Sequence, residues 1–408
     1  MTPLDDVRDM VMSRCPALPV VTVHRANAAG LVLAEAITAP ENVPPFANTA
    51  VDGYAVRAAD VTHVPVELRV IAELAAGASS VVEVVSGTAV RIMTGAPIPP
   101  GCDAVVMVED TDRLGDDIVR VRASVRTGAA IRVAGSDVAC GATVFEPGTI
   151  VTPAVEGVLA TVNALNVAVH RRARVGVLST GDELVDDGSP LAPGQIRESN
   201  RSMLVRLVAE AGAEAIDLGI IRDDEDVLER VLRAAVDDAQ CDALVTSGGV
   251  SMGDYDVVKA VLSRIADMTW VQIAMKPAKP FAFGTLSGVR GQVVPVFGLP
   301  GNPVSSLVSF ELLARPALRM MMGFGEAAMR PVVRAIVDED VARNPDGKVH
   351  FDRVHATWGA DGRVHVRRVV AQGSHQLAAT ALANALMAVP DGPGLHAGNE
   401  VSVTFLGP

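Results

Sequence analysis

Long apolar runs, clustered cysteines and an excess of basic charge are all missing from this 408-residue sequence. No apolar stretch approaches the roughly 20 residues that a membrane-spanning helix needs, so we expect no membrane partner. Residues 1–6 are acidic, whereas a secretory signal has a basic flank before an apolar segment. We therefore expect a cytoplasmic protein that begins with a helix, capped by Thr2 with Pro3 as its first residue.

The four cysteines are widely separated and form no CxxC pair, which argues against a zinc site and a disulfide framework. The net charge of −13 gives no support to nucleic-acid binding, which normally needs a basic patch. An anionic substrate must then be held by local groups rather than by the overall field. Lysine is also scarce: only four of the 35 basic residues are lysine, and Lys276 and Lys279 share one short motif.

The clearest pattern is an alternation of short apolar runs and amphipathic stretches within residues 171–324. It predicts a doubly wound α/β domain with a parallel sheet. Predicted strands are 173–179, 214–221, 242–246, 269–273, 280–283 and 292–297. Predicted helices are 201–211, a segment capped by Asp224, 257–264, and a last one from Pro303 to about Met321.

The chain is too long for one hydrophobic core, and its flanks differ from the α/β region. Residues 46–135 carry short β-rich runs broken by Gly and Pro and are predicted to form an inserted β-rich domain. Residues 1–45 and 136–170 are predicted to come together as a split N-terminal linker domain. Residues 325–408 again show strand-like alternation, which predicts a small C-terminal β-barrel.

Four unusual loops follow predicted strands, where ligands bind in open parallel sheets. They are 180–183 (TGDE), 247–251 (SGGVS), 276–279 (KPAK) and 298–303 (GLPGNP). Adjacent Gly248 and Gly249 can turn N–H groups toward an anion. Asn302 as N-cap before Pro303 predicts a helix start whose N–H groups face the strand ends. Each loop alone could be an ordinary turn or cap, but their shared location favours a phosphate site.

Charged side chains accompany these loops. Lys276 and Lys279 supply positive charge, and the adjacent prolines exclude a helix and predict an extended loop. Carboxylates near the strand ends fit a magnesium ion between protein and phosphate, and helix capping is the alternative, above all for Asp224. These carboxylates are Asp182, Glu183, Asp224, Asp254 and Asp256.

Eight ordered motifs resemble those of the MoeA family of molybdopterin molybdenumtransferases, which is homologous to the E domain of gephyrin-type and plant Cnx-type proteins. One departure is Val51, where the family commonly has Met, and it is expected to change packing only. The motifs are PPFANTAVDGYAVR (44–57), RIMTGAPIPPGCDAVVMVED (91–110), GSDVACG (135–141), LSTGDEL (178–184), SGGVSMGDYD (247–256), KPAKPFAFG (276–284), GLPGNPVS (298–305) and QGSHQLA (372–378).

The resemblance implies an enzyme of molybdenum cofactor biosynthesis with a MogA/MoaB-like α/β domain. It would take adenylylated molybdopterin and molybdate, release AMP and deliver molybdenum to the dithiolene, with Mg²⁺ as cofactor. The residues implied for the pterin or nucleotide phosphates are Thr180, Gly181, Asp182, Ser247, Gly248, Gly249, Ser251, Pro300, Gly301 and Asn302. Those implied for the molybdate oxyanion are Lys276, Lys279, Arg353 and Ser374.

The resemblance further implies an elongated homodimer with composite active sites, and a molybdopterin adenylyltransferase as a further partner. The residues implied for catalysis are Asp52, Thr94, Arg132, Asp137, Glu183, Asp224 and Asp256. Among them Asp52, Asp137, Glu183 and Asp256 are the candidate metal ligands, because two carboxylates facing a phosphoanhydride can bind Mg²⁺ and orient water.

Three alternatives remain open. A molybdopterin adenylyltransferase shares the α/β domain but is commonly that domain alone, which the extra length disfavours. A non-catalytic scaffold, as in gephyrin, is disfavoured by the retained Lys276, Lys279, Asp52 and Asp256. A CinA-like nucleotide hydrolase uses the same fold but does not account for the motifs at 48–57 and 372–378.

Overall fold

A computed structural model describes residues 1–78, 82–250 and 257–407. Its helices are α1 (Leu4–Ser13), α2 (Pro153–Thr161), α3 (Asn200–Glu210), α4 (Glu225–Asp237), α5 (Val257–Ile265), α6 (Pro303–Ser309), α7 (Arg315–Met321) and α8 (Leu377–Thr380). Its strands are β1 (Val20–His24), β2 (Val32–Leu33), β3 (Ile37–Thr38), β4 (Asn48–Thr49), β5 (Gly53–Val56), β6 (Val66–Leu74), β7 (Thr88–Ile92), β8 (Ala104–Met107), β9 (Thr111–Arg113), β10 (Ile118–Val121), β11 (Ile131–Arg132), β12 (Thr143–Phe145), β13 (Asn166–His170), β14 (Arg174–Thr180), β15 (Leu184–Val185), β16 (Ile196–Arg197), β17 (Glu214–Ile221), β18 (Ala243–Ser247), β19 (Asp267–Gln272), β20 (Met275–Lys276), β21 (Pro280–Ser287), β22 (Val293–Leu299), β23 (Val332–Val337), β24 (Val341–Ala342), β25 (Val349–Trp358), β26 (Val364–Arg368), β27 (Ala385–Val389), β28 (Gly394–Leu395) and β29 (Glu400–Phe405).

The chain forms two compact units. The first contains Met1–Thr22, Gly30–Ala34 and the chain from Ala168 onward, and the second contains Val23–Ala29 and Glu35–Val167. Among the described residues, no helix is long and apolar enough to cross a membrane.

A six-stranded sheet with the order β17-β14-β18-β22-β21-β19 forms the predicted α/β domain in the first unit. β14 pairs in parallel with β17 and β18, and β18 pairs in parallel with β22. β21 runs antiparallel to both β22 and β19, so this one strand departs from the predicted parallel sheet. The reason is chain length, because the five residues 288–292 joining β21 to β22 are too few for a parallel crossover.

The strand order of this sheet reverses between β14 and β18. The chain passes from β14 through α3 to β17 on one side, then through α4 to β18 on the other. Ligands of open α/β sheets bind at such a switch point, beyond the carboxyl ends of the strands. The two loops that start there are the predicted TGDE and SGGVS loops.

The helices of this domain follow the apolar periodicity of the sequence. Asp224 caps α4 as predicted, since its carboxylate accepts a hydrogen bond from the Val227 N–H at 2.9 Å. α4 then buries Leu228 and Leu232 in a core shared with β18 and α5. Gly212, at φ +92°, ends the α3 region as predicted. α6 continues through a π-helical turn at Phe310–Ala314 into α7 and ends near Met321, as the sequence indicates.

The C-terminal region forms the predicted β-barrel. Five strands in the order β25-β26-β23-β29-β27 close on themselves because β27 also pairs with β25. Val354, Val366, Met387 and Val403 are buried inside it. β20 adds to the outside of β25 by a parallel pairing that joins Met275 to Val349 and Lys276 to His350.

The second unit is β-rich, as predicted. Its main sheet has the order β8-β5-β7-β6-β10-β9, and small two-stranded sheets join β4 with β11 and β3 with β12. Tyr54, Val56 and Val106 are buried in its core. The domain boundaries stated above stay predictions.

The start of the chain differs from its prediction. α1 begins at Leu4, with Pro3 in the N-cap position, so Thr2 is not the cap. Thr2 instead forms an isolated parallel bridge with Ile273, and its N–H donates to the Gln272 carbonyl at 2.8 Å. The sequence favoured a local cap, but a tertiary backbone pairing uses this residue.

Candidate active site

A cavity of about 440 Å³ lies at the carboxyl-terminal edge of the α/β sheet. The loops that follow β14, β18 and β22 form its walls, so the three glycine-bearing loops predicted from sequence meet there. Its lining residues are Thr180, Gly181, Glu183, Asp223, Gly248, Gly249, Val250, Val257, Pro280, Pro300, Gly301 and Asn302. We call it the glycine cavity.

Two glycines of the SGGVS loop have backbone conformations that other residues rarely adopt. Gly248 and Gly249 have φ values of +95° and +75°, which favour glycine. A Cβ at Gly248 would lie 3.4 Å from the Thr180 carbonyl oxygen. The Gly248 N–H donates to the Leu299 carbonyl at 3.1 Å and so links the ends of β18 and β22. The prediction that this N–H points toward an anion was therefore wrong.

Asn302 occupies the predicted N-cap position of α6, with extended backbone angles before Pro303. Its carbonyl accepts a hydrogen bond from the Ser306 N–H at 2.9 Å. In the described parts of the chain its side chain makes no capping hydrogen bond, which corrects the expectation that the amide caps the helix. The side chain of Asn302 is therefore available to the glycine cavity.

Asn200 joins two of these loops, and sequence reasoning missed it. Its Nδ2 donates to the Ser247 Oγ at 2.8 Å and to the Gly301 carbonyl at 2.6 Å. Because a carbonyl only accepts, the NH₂ group must face Gly301. The Asn200 Oδ1 is buried and has no partner within the described residues. Asn200 thus fixes the spacing of the loops after β18 and β22.

The carboxylates near the strand ends have separate roles. Glu183 lies so close to Gly181 that a Cβ there would collide with its carboxylate. Asp182 accepts a weak hydrogen bond from the Asp223 N–H at 3.4 Å. Asp224 is used by the α4 cap, and Asp223 beside it lines the cavity instead. The predicted site residues Ser251, Asp254 and Asp256 lie outside the described residues.

A second cavity, of about 500 Å³, brings together three of the four residues predicted to hold an oxyanion, Lys276, Lys279 and Ser374. Pro280 lines this cavity and the glycine cavity, so the two adjoin. The complete lining is Met275, Lys276, Pro277, Ala278, Lys279, Pro280, Ser305, Lys348, Gln372, Gly373 and Ser374. We call it the lysine cavity.

The KPAK loop is a tight turn. Ala278 has a φ of +72°, and the Ile273 N–H donates to the Lys279 carbonyl at 2.7 Å. The prediction of an extended loop therefore holds at Lys276, which lies in β20, and is wrong at Ala278. The turn is needed because the chain leaves β19 and returns at once along the antiparallel β21. Both lysine side chains are exposed.

Arg353 lies on β25 and is 1% exposed. Its guanidinium donates long hydrogen bonds to the carbonyls of Ala371, at 3.5 Å, and Gly373, at 3.4 Å, and burial lowers its pKa. Within the described residues, its Nε has no partner and no carboxylate forms an ion pair with it. It lines a cavity of about 360 Å³ that shares Lys276 and Gln372 with the lysine cavity.

The loop that carries Ser374 is held by its own side chains and by α6. Gln372, which sequence reasoning missed, accepts from the Arg353 N–H at 3.0 Å and donates to the Arg353 carbonyl at 2.8 Å. The Val304 N–H at the start of α6 donates to the Ser374 carbonyl at 3.0 Å. The barrel loop is thereby attached to the helix that begins beside the glycine cavity.

In the second unit, Asp52 and Thr94 form the pair expected from their motifs. The Thr94 N–H and hydroxyl both donate to the Asp52 Oδ1 at 2.7 Å. These two hydrogen bonds, the backbone one first, lower the pKa of Asp52. Within the described residues the second oxygen of Asp52 accepts no hydrogen bond, and both side chains are exposed.

Arg132 and Asp137 belong to the same unit as Asp52 and Thr94. Arg132 is on β11, paired with Asn48 of β4, and the Asp137 N–H donates to the Val43 carbonyl at 2.9 Å. Among the described residues, no hydrogen bond or ion pair links either side chain to Asp52 or Thr94. The described residues also contain no cluster of three or more His, Cys, Asp or Glu able to hold a metal ion.

Three family models match the chain and together span most of it. The model described as the MoeA N-terminal region, domains I and II, matches residues 2–163. A probable molybdopterin binding domain matches residues 176–320, and the MoeA C-terminal region, domain IV, matches residues 334–406.

Individual relatives match this chain over nearly its whole length. The chain is 37% identical to a molybdopterin molybdenumtransferase of Haemophilus influenzae, over 99% of this chain and 98% of the relative. It is 42% identical to molybdopterin molybdenumtransferase 2 of Mycobacterium tuberculosis, over 91% of each chain. The molybdopterin biosynthesis MoeA protein of Pyrococcus horikoshii superimposes with a TM-score of 0.81 at 30% identity, covering 99% of this chain and 100% of that one. The chain therefore belongs to the MoeA family of molybdopterin molybdenumtransferases.

Proposed function

We propose that this protein transfers molybdenum from molybdate to molybdopterin and that its pterin substrate is adenylylated. The observation that carries the proposal is the adjacency of the glycine and lysine cavities, which share Pro280, in a chain of this family. One cavity suits a phosphate-bearing molecule and the other a compact oxyanion. The transfer requires both ligands side by side.

The glycine cavity is proposed to hold the pterin and nucleotide phosphates. Its walls of glycine backbone allow a close approach by phosphate oxygens. The amide of Asn302, which makes no capping hydrogen bond within the described residues, and the hydroxyl of Thr180 can donate to these oxygens. The positive φ values of Gly248 and Gly249 disfavour larger side chains in this wall.

The lysine cavity is proposed to hold molybdate. Lys276 and Lys279 offer ammonium groups, and the Ser374 hydroxyl offers a neutral donor. Arg353 adds a buried cation whose Nε has no partner among the described residues, and it lines the adjoining cavity that shares Lys276 and Gln372. Charge-assisted hydrogen bonds of this kind are stronger than neutral ones, so they can hold a dianion in a protein whose net charge is −13.

Glu183 and Asp223 fit a magnesium ion in the glycine cavity, because Mg²⁺ takes one or two carboxylates together with phosphate oxygens and water. When bound, Mg²⁺ would neutralise charge on the phosphoanhydride. Asp52 fits the same need, since its carboxylate is kept ionised and one oxygen is unused among the described residues. Asp137 and Asp256 stay candidate ligands from the family resemblance.

We further propose a cytoplasmic homodimer with composite sites, in which Asp52, Thr94, Arg132 and Asp137 complete the site of the neighbouring subunit. Thr94 holds the Asp52 carboxylate in place, and Asp52 can then orient a water molecule for attack on the phosphoanhydride. A molybdopterin adenylyltransferase would supply the adenylylated pterin.

An activity assay tests the proposal directly. The protein is incubated with adenylylated molybdopterin and Mg²⁺, with and without molybdate. We expect AMP release that depends on molybdate, and molybdenum bound to the pterin product. AMP release without molybdenum in the product would contradict the proposal.

The same assay separates the alternatives. An adenylyltransferase would convert molybdopterin and Mg-ATP into adenylylated pterin, and a scaffold would do neither reaction. The match of relatives along 99% of the chain favours the molybdenumtransferase over a single-domain adenylyltransferase.

A further inference from the structure

Lysine is distributed very unevenly in this protein. Three of its four lysines, Lys276, Lys279 and Lys348, line the lysine cavity. The fourth, Lys259, lies on α5 with its ammonium 5.8 Å from the centre of the Trp270 ring. Lys348 was not among the site residues predicted from the sequence.

Backbone pairing holds Lys348 beside the KPAK turn. The next residue, Val349, pairs with Met275 in the parallel β20–β25 ladder, and its N–H donates to the Ala274 carbonyl at 3.0 Å. The side chain of Lys348 is 21% exposed, so its stem is mostly covered while its ammonium can still reach solvent. The backbone of Lys348 is therefore fixed relative to Lys276, whereas the Lys348 ammonium group can move.

In the structure the Lys348 ammonium donates to Asp346 at 2.8 Å. Asp346 has other partners, since Arg343 donates to it at 2.7 Å and His350 lies within 3.2 Å. The hydrogen bond from Lys348, followed by that from His350, lowers the pKa of Asp346. Arg343 is itself anchored by Asp391 at 2.9 Å. Asp346 would thus stay paired with Arg343 if Lys348 turned away.

We propose that Lys348 is a third lysine ligand of molybdate in the lysine cavity, an inference that rests on the proposed function. Its ammonium leaves Asp346 for the oxyanion, and Arg343 keeps the Asp346 carboxylate compensated. A flexible four-carbon stem with a compact charge suits such a movement. The bound dianion gains a third ammonium donor beside those of Lys276 and Lys279.

The test compares Lys348→Gln, Lys348→Arg and a matched control, Lys259→Gln, which makes the same charge change on α5. The measured quantities are the molybdate and adenylylated-pterin concentrations that give half-maximal AMP release. We expect Lys348→Gln to raise the molybdate value about tenfold or more and to leave the pterin value unchanged. Lys348→Arg keeps the charge and should stay near the wild-type value, as should Lys259→Gln.

Three results would overturn the inference. In the first, Lys348→Gln behaves like Lys259→Gln. In the second, Lys348→Gln raises both half-saturation values equally, which indicates a structural role. In the third, Lys348→Arg fails to keep molybdate binding near the wild-type value. Lys276→Gln separates this inference from the proposed function. If Lys276→Gln weakens molybdate binding and Lys348→Gln does not, only the inference about Lys348 fails, whereas no effect from either variant overturns both.

Discussion

Thr94 has the largest effect on the protonation of Asp52. Thr94 donates to it twice, through the backbone N–H and through the hydroxyl, and both hydrogen bonds favour the ionised carboxylate. Because the pKa of Asp52 is lowered, the carboxylate stays charged down to a more acidic pH than an ordinary Asp. Protonation, and with it the loss of the proposed metal binding or water orientation, is expected only as the pH falls through this lowered value.

Removing the Thr94 hydroxyl is expected to raise the pKa of Asp52 towards its ordinary value. Thr94→Val keeps the backbone hydrogen bond but loses the side-chain one, so the increase should be partial. Thr94→Ser keeps both and serves as the control. A carbon-13 NMR titration of the Asp52 carboxyl group measures the change, and equal pKa values in Thr94→Val and wild type would refute it.

Individual site residues differed in how readily the sequence revealed them. Lys276 and Lys279 were found because lysine is rare, and the same signal could have drawn attention to Lys348. Asn200 and Gln372 gave no such signal. Their hydrogen bonds reach loops that are distant in sequence, for example 101 residues from Asn200 to Gly301, so only the folded chain brings the partners together.

Among the secondary-structure elements, the antiparallel β21 has the clearest effect on the site. β19 and β22 run in the same direction, because each pairs antiparallel with β21. The turn between β19 and β21 therefore lies at the same edge as the loops after β18 and β22. This arrangement brings the KPAK turn next to the glycine cavity with only seven residues, 273–279, between the strands.

Asn200 links the elements around the glycine cavity, and its removal should weaken pterin binding alone. Asn200→Ala loses the hydrogen bonds to Ser247 and Gly301, which is expected to raise the half-saturating concentration of adenylylated molybdopterin severalfold. The value for molybdate should not change. Asn399→Ala is the control, because it loses a hydrogen bond from the His396 N–H in the barrel. Unchanged pterin binding in Asn200→Ala would contradict the bridging role.

Most elements could be predicted from periodicity, whereas their directions and tertiary pairings could not. Apolar spacing located α4 and β17, since amphipathic helices and buried strands have distinct periods. Direction leaves no trace in that spacing, so β21 was assigned to a parallel sheet. The short link at 288–292 was the sequence feature that indicated an antiparallel connection between β21 and β22. Thr2 was misassigned for a related reason, as its partner Ile273 is far along the chain.

At the scale of the whole molecule, the candidate residues are divided between the two compact units. Lys276, Lys279 and Ser374 belong to the first unit, and Asp52 and Thr94 belong to the second. The proposed homodimer would combine the first unit of one subunit with the second unit of its partner. Such an arrangement can be tested by mixing variants that are inactive for different reasons.

While staying folded, Asp52→Ala is expected to lose molybdate-dependent AMP release, and Lys276→Gln is expected to lose most of it at the molybdate concentration that half-saturates the wild-type protein. When the two are mixed and allowed to exchange subunits, activity should return. In a heterodimer with composite sites, one site receives both substitutions and the other receives neither.

The controls for this experiment are each variant mixed with itself. If every site were built from one chain, both sites of the heterodimer would carry one substitution, and mixing would restore nothing. That result would refute the composite site and leave the assignment of Asp52 and Lys276 to be judged from the single variants.

The lysine cavity is lined by lysines in a chain that otherwise uses arginine. This difference affects how long a bound anion stays in the cavity. A guanidinium binds a flat edge of an anion in a fixed orientation, whereas an ammonium is a compact point charge with rotating donors. A tetrahedral anion among Lys276, Lys279 and Lys348 could tumble without losing its contacts. The lysine cavity would then bind molybdate strongly enough to take it up from solution. The same binding would be weak enough for the molybdate oxygens to be released one at a time.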